Sequence, residues 1–157
     1  MIKAIRFNGF VLAFTLVTGL SSFAQGNANV EANFIAMLKN ATLKGTWAPV
    51  QQATIGATKA DEAYRIARVE KKEGDKWVLT SLVNYRGKEI EYPMPVVVKF
   101  AGDTAVLILD DVRAGQDAAA NWSARILFHE NVYAGRWWKT ANREYAGTIA
   151  GTITQAK

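Results

Sequence analysis

His129 is the single histidine of the chain, so a metal site built from several imidazoles cannot form. A nucleophile activated by His129 would have to be Ser81 or Ser123, the serines that remain once an N-terminal leader is set aside. Ser123 precedes His129 by six residues on what reads as one strand. At roughly 3.3 Å per residue that is about 20 Å, far beyond proton-transfer reach. Ser81 has no feature that brings it to His129, and His129 reads as a solvated strand-end residue. Carboxylate pairs come next. Asp110 or Asp111 with Glu130 or Glu144 would supply the two acids of a glycan hydrolase. Asp110 and Asp111 are adjacent, so on a strand only one can face inward, and acids after a strand commonly form turns. Asp110, Asp111 and Asp117 would offer oxygen ligands to calcium, but they lack the spaced Asp-x-Asp-x-Asp-Gly pattern. Gly135, Gly147 and Gly151 lie in strand patterns, not before a helix where they would cradle phosphate. No catalytic set, metal or cofactor is expected.

The aromatic set is the stronger signal. Tryptophans stand at 47, 77, 122, 137 and 138, with tyrosines at 64, 85, 92, 133 and 145. Large rings fill cores, and at the end of a sheet they also grip ligands. Trp47, Trp77, Tyr85, Tyr92 and Trp137 form the expected ligand-lining set. Trp138 neighbours Trp137 on a strand and must face the opposite way. It is the expected exposed contact.

These side chains need elements to hold them. Lys3 and Arg6 precede an apolar run from Phe10 to Leu20, and Ser22-Phe23-Ala24 follows with small residues where a signal peptidase reads. Residues 1–24 read as a secretory signal and 25–157 as one domain working in the periplasm or outside the cell. The apolar run is too short for the roughly 20 residues of a membrane span, so no stable insertion is expected. Removing Lys3 and Arg6 lowers the net charge from +5 to +3. The remaining basic residues are dispersed; even Lys71-Lys72 sits in the mixed run Glu70 to Lys76. A nucleic-acid partner, which asks for a clustered basic face, is not expected. The absence of cysteine excludes disulfides, thiolate chemistry and a lipid-modified start. The core alone must stabilise the fold.

Val30, Phe34, Met37, Leu38 and Ala41 recur at helical spacing and predict one short helix over about 30–41. From residue 43 the period becomes two. Ile90, Tyr92, Met94, Val96, Val98 and Phe100 share a face; so do Trp122, Ala124, Ile126 and Phe128, and Trp77 through Tyr85 in steps of two. Strands are expected at about 43–50, 62–72, 76–86, 88–92, 95–101, 104–110, 122–129, 132–138 and 144–154. Pro93 and Pro95 are expected to split one run into two pieces. Eight or nine short strands joined by tight turns predict an all-β antiparallel meander curled into a barrel, with a two-layer sandwich as the rival.

Two resemblances follow from particular residues. Leu43-Lys44-Gly45-Thr46-Trp47, after a short helix, resembles the Gly-x-Trp opening strand of lipocalins and other calycin barrels. That likeness implies a tryptophan closing one barrel end beneath a ligand cavity. The chain departs from lipocalins in lacking disulfides, a later lipocalin motif and a long C-terminal helix. Gly45-Thr46-Trp47-Ala48-Pro49, Gly74-Asp75-Lys76-Trp77, Ala101-Gly102-Asp103-Thr104 and Tyr133-Ala134-Gly135-Arg136-Trp137 together resemble small exported proteins of unknown function from bacteria such as planctomycetes, a likeness that implies no activity.

The expected function is therefore a non-enzymatic exported barrel that binds a small apolar or aromatic ligand, or a surface partner such as a glycan. The alternatives are a glycan hydrolase using a carboxylate pair and an adhesive envelope module exposing an apolar patch around Trp138. Oligomeric state has no sequence signature here.

Overall fold

The computed structural model describes residues 20–113 and 120–155, without side chains for 20–27 and 60–62. Residues 1–19 of the expected signal and Asp117 lie outside the described residues. A helix α1 (Leu20–Leu38) leads into strands β1 (Ala41–Gln51), β2 (Thr54–Ile55), β3 (Lys59–Lys71), β4 (Lys76–Tyr85), β5 (Lys88–Ala101), β6 (Thr104–Arg113), β7 (Asn121–His129), β8 (Val132–Lys139) and β9 (Asn142–Gln155). Every neighbouring pair is antiparallel, as tight two-residue connections such as Arg86-Gly87 dictate. β1 also pairs with β9 from Ala41↔Gln155 to Val50↔Ala146. That ladder closes eight strands into a barrel, with β2 as a short addition to β1. Closure removes the two long sheet edges that an open meander would expose.

The period-two reading of the inner wall holds. Residues facing one another across strands share a side, so Leu43↔Ile153, Phe128↔Tyr133, Leu107↔Ile126 and Trp77↔Val96 all point into the barrel. The turns at Gly74, Gly102 and Glu130 gather at the end where α1 enters, and there the interior is filled. Phe34 and Leu38, one helical turn apart, are 2% and 0% exposed. Phe34 meets Trp77, Phe100 and Phe128 edge-on at centroid distances of 5.7–5.9 Å. Lys71 pairs with Glu31 at 2.5 Å, and Gln155 donates to the Ala36 carbonyl, fixing the helix to β3 and β9.

Two expectations are corrected. The helix is not confined to 30–41: it begins by Leu20, so Ser22-Phe23-Ala24 lies in its first turns, and it stops at Leu38. Asn40 takes φ 52, turning the chain so that its N–H donates to the Ala67 carbonyl at 3.0 Å. Ala41, which continued the helical spacing, is instead the first inward residue of β1, opposite Ile66. Pro93 and Pro95 do not divide their strand either. β5 is continuous because only β4 pairs with it at those positions, through Thr80↔Pro93 and Val78↔Pro95. The missing N–H groups point to the unpaired side, where proline is tolerated.

The outer wall is charged. Arg65 and Arg68 reach over β4 to Glu89 and Glu91, the second pair at 2.7 Å. The hydrogen bond and charge of Glu91 hold the Arg68 guanidinium above its ordinary pKa. Lys99 pairs with Asp75 at 2.9 Å.

If the helix is part of the core, Phe34→Ala should remove about 3–5 kcal/mol of unfolding free energy, the usual cost of truncating a buried phenylalanine. Urea unfolding followed by circular dichroism measures this. An unchanged midpoint would show that the helix does not fill the barrel.

Candidate aromatic site at the open end

Away from the helix the inner wall is no longer covered. Tyr64, Tyr85, Ile90 and Tyr145 all occupy inward positions, yet they are 43%, 56%, 40% and 53% exposed. Buried core residues on the same strand faces, such as Leu43, Trp77, Val96 and Ile153, are below 9%. The barrel is thus a cup, packed at one end and open at the other.

Four rings meet on one side of the opening. Trp137 lies 5.9 Å from Trp47, 5.4 Å from Trp122 and 6.0 Å from Tyr145, centroid to centroid. Trp122 and Tyr145 are 6.0 Å apart. The register places them there: Ala124↔Trp137, Trp137↔Gly147 and Pro49↔Gly147 bring β7, β8, β9 and β1 side by side. Gly147 makes room for the Trp137 indole, since a Cβ there would stand 2.5 Å from a ring carbon. Two ammonium groups ride on these rings. Lys59 is 4.8 Å from the Trp47 centroid; Lys139 is 4.8 Å from Tyr145 and 5.5 Å from Trp122. Each such contact is worth about 0.5–1 kcal/mol when exposed. A recess of about 270 Å³ lies among Trp47, Pro49, Gln51, Lys59, Trp137, Glu144, Tyr145 and Ala146. It offers an aromatic floor and three polar side chains of different character: an amide, an ammonium and a carboxylate.

Of the five residues expected to line a ligand site, Trp47 and Trp137 are brought together here. Trp77 is not with them. It is 1% exposed in the filled half, against Phe34 and Phe100. Thus Trp77 closes the helix-covered end, and Trp47 stands about 20 Å further along its strand from Ala41, at the opposite end. Tyr85 sits at the tip of the β4–β5 hairpin, with the Arg86 guanidinium 5.2 Å above its ring. Tyr92 lies outside the recess and donates its hydroxyl to the Arg113 carbonyl at 2.5 Å. Trp122 and Tyr145 were absent from the expected set, although Trp122 already shared a face with Ala124, Ile126 and Phe128. Trp138 does face outward, but it is half-buried, with Arg125 and Arg143 over its ring at 5.4 and 5.8 Å.

The residues weighed for catalysis are apart. Asp110 faces outward and pairs with Arg125 at 2.8 Å. Asp111 sits at a bulge with φ 55 and accepts from Asn121 at 3.1 Å. Glu130 is in a turn at the helix end, and Glu144 is at the other end. Ser123 is buried on the outer wall beside Thr140. His129 is a surface residue near Thr104 and Asp103. Among the described residues, no group of three or more His, Asp or Glu side chains is placed to hold a metal. A larger hollow, about 360 Å³, lies on the outer wall beside Leu127, Val132, Ala134 and Ala150. It is a notch left by two alanines and Gly151, with His129 and Tyr133 its side chains that carry a polar group and no cluster of contacting rings. The inner recess is the better ligand site on that chemistry.

Gly147→Ala should force the Trp137 ring aside, cost about 1–3 kcal/mol as an overpacked site, and change the near-ultraviolet circular dichroism of the ring cluster. An unaltered spectrum and stability would show that the close approach of Gly147 to Trp137 does not exist in solution.

Comparison of the chain with protein-family models, curated proteins and solved structures found no match, so its chemistry is read from its own residues.

Proposed function

We propose that this chain is an exported, non-enzymatic binding domain that takes a small apolar or aromatic molecule in the open half of its barrel. The observation that carries the reading is the exposure of Tyr64, Tyr85, Ile90 and Tyr145 on the inner wall, where a barrel without a guest would be filled. Their apolar surface costs free energy in water, at about 25 cal/mol per Å², and a guest that covers it recovers that amount. The contacting rings of Trp47, Trp137 and Tyr145 supply a rigid platform. Gln51, Lys59 and Glu144 supply the few polar groups that orient a ligand. A recess of about 270 Å³ suits a molecule of one or two rings.

The same barrel is unsuited to lipid. Mid-strand outward positions hold Arg68, Glu91, Lys99, Arg125 and Arg136, where a membrane barrel needs an apolar band. No helix among the described residues is long and apolar enough to cross a membrane. The reading therefore places the barrel in water, in the periplasm or the medium, after removal of the N-terminal signal.

N-phenyl-1-naphthylamine, an apolar two-ring amine that brightens when buried, is a suitable probe. The full-length mature chain should bind it, and Trp47→Ala should weaken binding roughly 5- to 30-fold, the loss of one or two kcal/mol of ring contact. Tyr145→Ala, at an already exposed position, should weaken it similarly with little effect on folding. Equal binding by all three proteins, or none by the parent, would refute the proposal.

A further inference from the structure

Two ladders of the barrel stop short of the mouth: β3 and β4 pair only from Arg65↔Leu82 to Lys71↔Trp77, and a longer break lies between β5 and β6. β4 and β5 pair along their whole length, from Lys76↔Val97 to Tyr85↔Lys88. β5 and β6 pair only between Val97↔Ile108 and Ala101↔Thr104. Among the described residues, Lys88–Val96 thus have a partner strand on one side and none on the other, although Leu109–Arg113 of β6 run on past the last pair. The sequence holds them in that state. The Val98 N–H donates toward β4, to the Asp75 carbonyl at 2.9 Å. Backbone direction alternates along a strand, so even-numbered residues of β5 turn their N–H to β4 and odd-numbered residues turn theirs to β6. Pro93 and Pro95 are odd-numbered. They remove two consecutive donors that a longer β5–β6 ladder would need, and would leave β6 carbonyls facing no N–H.

β6 diverges as well: its register with β7 slips between Leu109 and Val112, and Asp111 takes φ 55. Across the gap runs the hydrogen bond from the Tyr92 hydroxyl to the Arg113 carbonyl, 2.5 Å long. Inward residues beside it are apolar and partly uncovered: Ile90 is 40% exposed, and Tyr92 and Met94 are half-buried. Around the barrel the order β1-β3-β4-β5-β6-β7-β8-β9 sets this gap diametrically opposite the β1–β9 wall, where Trp47 lines the recess. On the recess side of the mouth Trp137 touches the rings of Trp47, Trp122 and Tyr145, and Trp122 touches Tyr145, so that this side is occupied by rings.

We infer that the unpaired gap between β5 and β6 is a side entrance to the cup, held open by Pro93 and Pro95 and latched by Tyr92. The inference rests on the proposal that the open half binds a small apolar ligand. A guest of that kind slides between strands without breaking a backbone ladder, because none is present. It must displace one side-chain hydrogen bond between neutral groups, which opens at thermal energies. The apolar edges of Ile90 and Met94 then lead inward to the aromatic recess. An edge lacking two donors is also a poor template for a foreign strand, so the gap admits small molecules without inviting sheet-to-sheet association.

Stopped-flow mixing with N-phenyl-1-naphthylamine reads the entrance directly. Tyr92→Phe keeps the ring and removes the latch. Association and dissociation rates should rise together, about fivefold, with the equilibrium affinity unchanged. Pro93→Thr combined with Pro95→Thr restores both donors and should slow both rates together. Circular dichroism confirms that the double variant is folded; if it is not, Tyr92→Phe decides alone. Rates unmoved by Tyr92→Phe would place entry at the mouth and overturn the inference while leaving ligand binding intact. A changed affinity with an unchanged association rate would make Tyr92 a ligand contact instead of a latch, which also overturns it. Absence of probe binding by the parent protein would remove the binding proposal and the entrance with it.

Discussion

The wedge of Phe34 and Leu38 into one end of the barrel is the contact on which the rest of the molecule depends. An eight-stranded barrel has an interior just wide enough for its own side chains to fill. Whether such a barrel is a solid core or a container is decided by where the bulk is placed. Here α1 supplies a phenylalanine to the ring of Trp77, Phe100 and Phe128, and the inner wall needs no further help at that end. With no cysteine to crosslink the chain, this packed half has to provide the stability of the whole. The other half is thereby free to leave inward aromatic rings uncovered, a cost the filled half can carry.

The two halves also differ in how their strands are joined. Near the helix every strand has two partners. Toward the mouth, from Val96 back to Lys88, β5 keeps only β4 among the described residues, and the prolines that permit this face the side where no ladder exists. On the outer wall, Arg65–Glu89 and Arg68–Glu91 span β4 and brace the hairpin against β3. These pairs are exposed, and each contributes little alone. Their position matters more than their strength, because they tie down the β4–β5 hairpin on one edge and leave its other edge free. The cup is therefore asymmetric: continuous wall and clustered rings at β7–β9 and β1, a wall interrupted briefly at β3–β4 and over a longer stretch at β5–β6.

Much of this was legible in the residues. Period-two alternation gave the inward faces of β4, β5 and β7 correctly. Ring closure was harder, because the β1–β9 ladder joins residues about a hundred positions apart, from Val50↔Ala146 to Ala41↔Gln155, and no local signal encodes it. Alternation says which face a tryptophan occupies but not which end of the barrel it reaches. Trp47 and Trp77 could be placed inside, yet not at opposite ends. Strand order and direction settle that, and they also carry Trp122 and Tyr145 to Trp137. Proline carried a real signal whose meaning depends on a neighbour: the same residue that breaks a central strand is neutral where the strand has one partner. Ala41 shows the limit of periodicity at a boundary, where the last helical position and the first inward strand position coincide.

The barrel has a filled end at Trp77 and an open, ring-lined end at Trp47, Trp122 and Trp137. The five indole N–H resonances of the chain report on both ends in one two-dimensional nuclear magnetic resonance spectrum. On titration with N-phenyl-1-naphthylamine, the signals of Trp47, Trp122 and Trp137 should shift while that of Trp77 stays in place. A spectrum in which Trp77 moves with them, or in which none of the three moves, would contradict the division of the barrel on which the account stands.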